Sequence, residues 1–171
     1  ERYSQNEEGV TAYFQNGRTY KADVLLGCDG FNSMVRKQLL KCRDKEERFY
    51  AGYTCFRGIA RATTLRQLDL ERGAVWHANG VGSQFGLLDV GLAAAAGAGT
   101  GDLHEVAWYA TANMPSGVIE SAEERKEFLT ERFKDWYLPA GKALSATASE
   151  DILKNDIYER PSIYSWQDGR V

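Results

Sequence analysis

An apolar run, Val24-Leu25-Leu26, ends in Gly27-Cys28-Asp29-Gly30, and a helix is expected soon after, near Ser33. No other stretch constrains the chain as much as this strand, acidic-glycine turn and helix start. In open α/β folds, ligands sit outside the carboxyl ends of parallel strands, where such turns lie. Gly27 and Gly30 permit a positive φ or close backbone approach. The helix N-terminus beyond them offers free N–H groups to an anion such as a pyrophosphate. Asp29 is a single carboxylate that can accept from a ribose or pin a neighbouring loop. Arg36, on the helix, can pair with a phosphate or a carboxylate. The same succession also describes an ordinary strand-to-helix turn with a capping residue.

The flanking chain supplies the expected neighbours. Val10 to Phe14 alternates apolar and polar positions, Asn16-Gly17 follows as a type I′ hairpin signal, and Arg18 to Ala22 is the return strand. Asp23 to Cys28 then reads as a buried strand, and Ser33 to about Lys41 as a short helix with Val35 and Leu39 on one face. Cys42 to Arg48 is a charged surface loop. After it the texture changes. Phe49 to Ala62, Ala74 to Asn79, Ser83 to Val90 and His104 to Met114 are rich in aromatic and β-branched residues, with turns such as Asn79-Gly80 between them. They predict a mostly antiparallel sheet. Ser121-Ala122-Glu123-Glu124 is a capping box, opening a helix to about Tyr137 with Phe128, Leu129, Phe133 and Trp136 on one stripe. Pro139 stops or restarts that helix, and Ala140 to Ala148 forms another. Ile152 to Glu159, Ser162 to Trp166 and Gly169 to Val171 return to strand. Gly91 to Gly101, rich in Ala and Gly, reads as a flexible loop; lacking a lysine and a following helix, it is not a phosphate-binding loop.

Composition narrows the function classes. With 171 residues, 43% hydrophobic and 12% aromatic, the chain is expected to pack a core. A net charge of −3 without a long basic run gives no electrostatic reason to expect nucleic acid. No run of 18 apolar residues predicts a membrane span. Cys28, Cys42 and Cys55 lack metal-ligand spacing, and His77 and His104 are lone histidines on strands, so no metal is expected. The chain begins with Glu1 and stops as a strand begins, so it reads as an internal fragment truncated at both ends.

Asp29-Gly30, Ser33 and Arg36 resemble, at that spacing, the Asp-Gly motif of the class A FAD-dependent monooxygenases, the para-hydroxybenzoate hydroxylase-like family. Tyr50 to Ala60 (YAGYTCFRGIA) and Asp156 to Val171 (DIYERPSIYSWQDGRV) are similar to the zeaxanthin epoxidase branch of that family. Phe56-Arg57-Gly58 fits its aromatic-ring hydroxylases equally. The resemblance implies a fold between α/β and α+β: part of an FAD-binding Rossmann-like domain and a mostly antiparallel substrate sheet with flanking helices. Residues 1–46 and 159–171 fall to the FAD-binding domain and 47–158 to the substrate domain.

The implied cofactors are FAD, contacted by Asp29, Gly30, Ser33 and Arg36, and NAD(P)H as electron donor. The implied reaction inserts one oxygen atom from O₂ through a flavin C4a-hydroperoxide, and the cofactor carries that chemistry while the protein orients and excludes water. Tyr53, Phe56, Arg57, Trp76 and Phe85 are the candidate substrate residues; catalytic side chains are not identified. The substrate implied is small and apolar or aromatic, a carotenoid in the epoxidase branch. A lipid-soluble substrate would bring peripheral membrane association, and the epoxidase branch a plastid location in place of a cytoplasmic one. The alternatives are a ring hydroxylase of the salicylate hydroxylase type and a catalytically silent binding domain of the same fold. By itself the 171-residue piece is expected to be inactive and to bind FAD weakly.

Overall fold

A computed structural model describes residues 2–41, 48–62, 65–92, 104–119, 121–137 and 139–171. The chain forms two compact units, Glu1–Phe49 with Glu159–Val171, and Tyr50–Tyr158. The expectations at Cys42 and for most of the Gly91 to Gly101 loop lie outside the described residues.

The first unit is built on a three-stranded antiparallel sheet, β1 (Arg2–Asn6), β2 (Gly9–Tyr13) and β3 (Thr19–Ala22), in that order. Tyr3 and Val10 turn inward and are buried. The β2–β3 turn is not type I′. The Gly17 N–H donates to the Phe14 carbonyl at 3.0 Å, and within the turn only Gly17 takes a positive φ. That is a type I turn closed by a left-handed glycine, which needs one positive φ where type I′ needs two.

The segment after β3 departs from expectation. Val24 to Cys28 makes no strand and is mostly exposed. A ladder needs a neighbour that alternately accepts and donates. Among the described residues this segment has one such contact, from the Leu25 N–H to the Arg170 carbonyl at 2.9 Å. Gly169 to Val171 likewise forms a turn, closed by reciprocal bonds between Asp168 and Val171. Arg170 is committed elsewhere: its guanidinium donates to the carbonyls of Asn6, Glu7 and Asp23, and its N–H to the Gln5 side chain. Ser162 to Trp166 also lacks strand pairing, and Tyr164 and Trp166 stand in solvent.

The second unit is a five-stranded sheet in the order β5-β6-β7-β4-β8. Its strands are β4 (Phe49–Ala62), β5 (Val75–Gly80), β6 (Ser83–Leu92), β7 (His104–Asn113) and β8 (Leu153–Glu159). The pairs β5–β6, β6–β7 and β7–β4 are antiparallel. The β5–β6 turn is Val81-Gly82, two residues beyond the expected Asn79-Gly80, which instead lies within β5.

Alternation sends Phe56, Phe85, Leu87, Val106, Trp108 and Ala110 to one face, where they form the core. Helices α2 (Ala122–Arg132) and α3 (Pro139–Ser145) contribute Leu129, Ala140, Ala143 and Leu144 to that core. The capping box forms as the spacing predicts, with Ser121 and Glu124 exchanging side-chain-to-backbone bonds at 3.1 Å. The helix ends at Arg132, five residues short of Tyr137. A turn there buries Phe133 against Phe85 (centroids 5.1 Å) and stacks Tyr137 on Trp76 (6.2 Å). Pro139 opens α3, a position where its missing N–H is no loss.

Candidate cofactor turn and open sheet face

The first candidate site is the turn from Asp29 to Arg36. Helix α1 (Met34–Leu39) is short and has no fully buried residue, so its start depends on caps. Two side chains supply them. Asp29 Oδ2 accepts from the N–H of Met34 at 2.7 Å and of Val35 at 3.2 Å. Ser33 Oγ, at the N-cap, accepts from the N–H of Arg36 at 2.9 Å. Hydrogen bonding from the Ser33 side chain lowers the Asp29 carboxyl most; burial opposes it, and the Val35 and Met34 N–H groups add to it, so that the carboxyl is held below its usual range.

The expectation of free helix N–H groups is therefore corrected. The N–H groups of Met34, Val35 and Arg36 are occupied by the motif's own oxygens. Arg36 braces the same turn, donating to the Phe31 carbonyl at 2.9 Å. Gly30 has φ +78°, and nothing lies within 4 Å of where a Cβ would stand. The backbone at Gly30 is thus exposed, fixed in a left-handed conformation, and open to close approach. Gly27 is required from the other side, since a Cβ there would stand 2.7 Å from Val35.

The second candidate site is the sheet face opposite α2 and α3. The structure divides the five expected substrate residues between the two faces. Phe56 and Phe85 are 0% exposed in the core, and Trp76 packs beside Phe85 on the same side. These three belong to the helix-covered face, and the two phenylalanines have no surface to offer a ligand. Tyr53 and Arg57 have the opposite parity and stand on the open face, where Arg57 is exposed and donates to Asn155 Oδ1 at 2.5 Å. Cys55 lies between them; burial pushes its thiol up against the opposing influence of Arg57.

Two residues on this face escape a motif-based reading. Tyr109 pairs across from Arg57 on one side and Gly86 on the other. Its ring lies over Gly86 and reaches His77, with centroids 5.8 Å apart. A Cβ on Gly86 would stand 2.3 Å from that ring. The available sequence signal is a glycine opposite an aromatic residue in adjacent strands, and it requires the register to be known.

No protein-family model matches the chain. It is 30% identical over 171 residues to aurachin C monooxygenase/isomerase of Stigmatella aurantiaca, spanning 100% of this chain and 40% of that protein. It is 32% identical over 169 residues to the chloroplastic zeaxanthin epoxidase of Nicotiana plumbaginifolia, spanning 99% of this chain and 23% of that protein. The chain thus spans 40% or less of the length of these curated relatives. Among solved structures, it superposes on Klebsiella pneumoniae HpxO complexed with FAD and uric acid with a TM-score of 0.75, at 20% identity. That match covers 99% of this chain and 39% of HpxO. A salicylate hydroxylase substrate complex matches with a TM-score of 0.59 at 20% identity, covering 98% of this chain and 42% of that one.

Proposed function

The chain is a relative of the FAD-dependent monooxygenases, and from that premise we propose that it is the part of such an enzyme that presents the Asp29-Gly30 turn to FAD and an open sheet face to the substrate. The observation that carries this reading is sequence similarity along the whole chain to two monooxygenation enzymes, aurachin C monooxygenase/isomerase and zeaxanthin epoxidase. Bound FAD would supply the activation of O₂, with NAD(P)H as the electron donor. The residues of this chain bind and orient. Gly30 offers its backbone to the cofactor, while Asp29, Ser33 and Arg36 act as positioning residues that hold the turn. On the open face, Arg57 and Tyr53 orient the substrate.

Carotenoid epoxidation is one form of this reading, and a plastid location and membrane association through a lipid-soluble substrate belong to that form alone. Ring hydroxylation is the other. The exposed guanidinium of Arg57 beside Tyr109 favours it, because a cation on a substrate face matches a ring bearing an oxygen acceptor better than an unbroken polyene.

The test is titration of the purified protein with FAD, followed by flavin fluorescence. Weak, saturable quenching is expected, and the absence of any quenching would sink the reading. Asp29→Ala removes the acceptor of two N–H groups. It is expected to destabilise the turn by about 1 kcal/mol and to weaken FAD retention at least as much as Ser33→Ala does. An FAD affinity unchanged by both substitutions would remove the turn from the cofactor site.

A further inference from the structure

We propose that Asn16 is a self-modifying residue, whose side-chain amide is attacked by the Gly17 nitrogen and converted through a succinimide to aspartate and isoaspartate. The sequence holds two asparagines followed by glycine, Asn16-Gly17 and Asn79-Gly80. In both, the missing glycine side chain leaves the following nitrogen unshielded. The dipeptides are chemically the same, so the backbone around each decides which one reacts.

Asn16 is exposed at the tip of the β2–β3 hairpin, and its Oδ1 accepts from the Arg18 N–H at 3.0 Å. That bond spans the Gly17 peptide and folds the side chain back along it, which brings the Cγ carbon alongside the Gly17 nitrogen. The Arg18 N–H is also aimed at the oxygen on which charge gathers as Cγ becomes tetrahedral, the part a donor plays in an oxyanion hole. One contact opposes the reaction. The Gly17 N–H donates to the Phe14 carbonyl at 3.0 Å, and this exposed bond opens before the nitrogen gives up its proton.

Asn79 has a different setting. It stands in β5 opposite Gln84, and Gly80 pairs with Ser83. In an extended strand the side chain projects from the sheet, while the following nitrogen lies in the ladder. The Trp136 indole also covers Gly80, where a Cβ would stand 2.6 Å from Cζ2 of that ring.

In the reaction the Gly17 nitrogen forms a bond to Cγ and gives its proton to solvent. The Cγ–Nδ2 bond breaks, and the amide nitrogen leaves as ammonia with a proton taken from solvent. Water then opens the five-membered ring. Opening at Cγ leaves an aspartate, and opening at the main-chain carbonyl leaves an isoaspartate. Either product adds one negative charge. The aspartate keeps an acceptor for the Arg18 N–H, whereas the isoaspartate lengthens the main chain inside the turn that sets the register of β3 on β2.

Timed incubation of the protein at mildly alkaline pH, folded and in urea, with peptide mapping by mass spectrometry tests this. In the folded protein Asn16 is expected to convert at least about tenfold faster than Asn79, whose reacting atoms are held out of line. In urea the two rates are expected to converge, with Asn16 close to its folded rate and Asn79 faster. Asn16→Ser keeps an oxygen for the Arg18 N–H and has no amide. It is expected to remove the early acidic species on anion exchange and to leave the melting temperature unchanged. No conversion at Asn16, equal or faster conversion at Asn79 in the folded protein, or a folded Asn16 rate as far below its urea rate as that of Asn79 would overturn the proposal.

Discussion

Substituting Gly58 by valine is expected to cost about 3 kcal/mol or more of stability, the upper end of what overpacking a core does. The reason is local and geometric. Gly58 sits directly across from Trp108 in the β4–β7 ladder, and the indole occupies the space a side chain would need. A Cβ at Gly58 would stand 2.6 Å from Cζ2 of that ring and 2.9 Å from its Nε1. The ring cannot yield. Trp108 is 2% exposed and stacked on Phe85 at 5.6 Å with planes 12° apart. Its N–H donates to Thr147 Oγ1 at 2.9 Å, and the Thr147 hydroxyl in turn donates to the Ala143 carbonyl, tying β7 to α3. Displacing the indole therefore breaks a buried hydrogen bond as well as the packing. The measurement is thermal or urea unfolding followed by near-UV circular dichroism. A melting temperature lowered by roughly 10 °C is expected, and one within a degree or two of the parent would show that the indole has another place to go. Gly86→Ala is the internal control, because Tyr109 is 39% exposed and solvent lies beyond its ring.

The second large effect concerns Asp156. Its carboxylate accepts from the Thr54 hydroxyl at 2.7 Å and from the Gly117 N–H at 2.8 Å, and Lys154 lies 3.5 Å away. Thr54 is fully buried, and its hydroxyl oxygen lies 3.1 Å from that of Tyr50, which donates to the Met114 carbonyl at 2.6 Å. One carboxylate thus joins β4, β8 and the segment after β7. Asp156→Ala leaves a buried hydroxyl and an ammonium without their acceptor, and the loss is expected to be about 3 kcal/mol.

The same network sets an acid limit. Burial pushes the Asp156 carboxyl up, but the bonds from Thr54 and Gly117 and the charge of Lys154 together outweigh it, and the net shift is downward. A carboxyl whose pKa is lower folded than unfolded stabilises the fold fully above its unfolded value, near 3.8, and loses that contribution as pH falls through the depressed folded value. Unfolding free energy measured from pH 6 downward is expected to fall less steeply in Asp156→Asn than in the parent. Parallel curves would assign the acid sensitivity to other groups.

Elements whose pattern is local were legible in the sequence. The 14 residues of β4 were delimited correctly because a long alternating run between a charged segment and a 3-10 turn has few other solutions. The capping box at Ser121 was legible because both of its bonds join residues three apart. The Asp29-to-Arg36 spacing was legible as a motif, but its hydrogen bonding was not. Whether Asp29 meets a ligand or the N–H groups of Met34 and Val35 depends on where the short helix starts relative to the turn. Val24 to Cys28 was misread because three apolar residues look the same whether or not a neighbouring strand completes the ladder. Phe56, Trp76 and Phe85 were grouped with Tyr53 and Arg57 because residue type says nothing about which side of a sheet the helices cover.

The sequence by itself determined the alternation of the strands, the helix starts, and the kinship with monooxygenases carried by short spaced motifs. Those are properties of neighbours along the chain, and side-chain direction has a period of two whatever the strand pairs with. Only the tertiary structure decided which parity is core and which is open, that Gly58 yields its space to a locked indole while Gly86 yields to an exposed phenol, and that Arg57, Tyr109 and His77 share a row. Those relations join residues 20 to 52 positions apart, and they exist only once the register of β4, β5, β6 and β7 has been set by burying the other face.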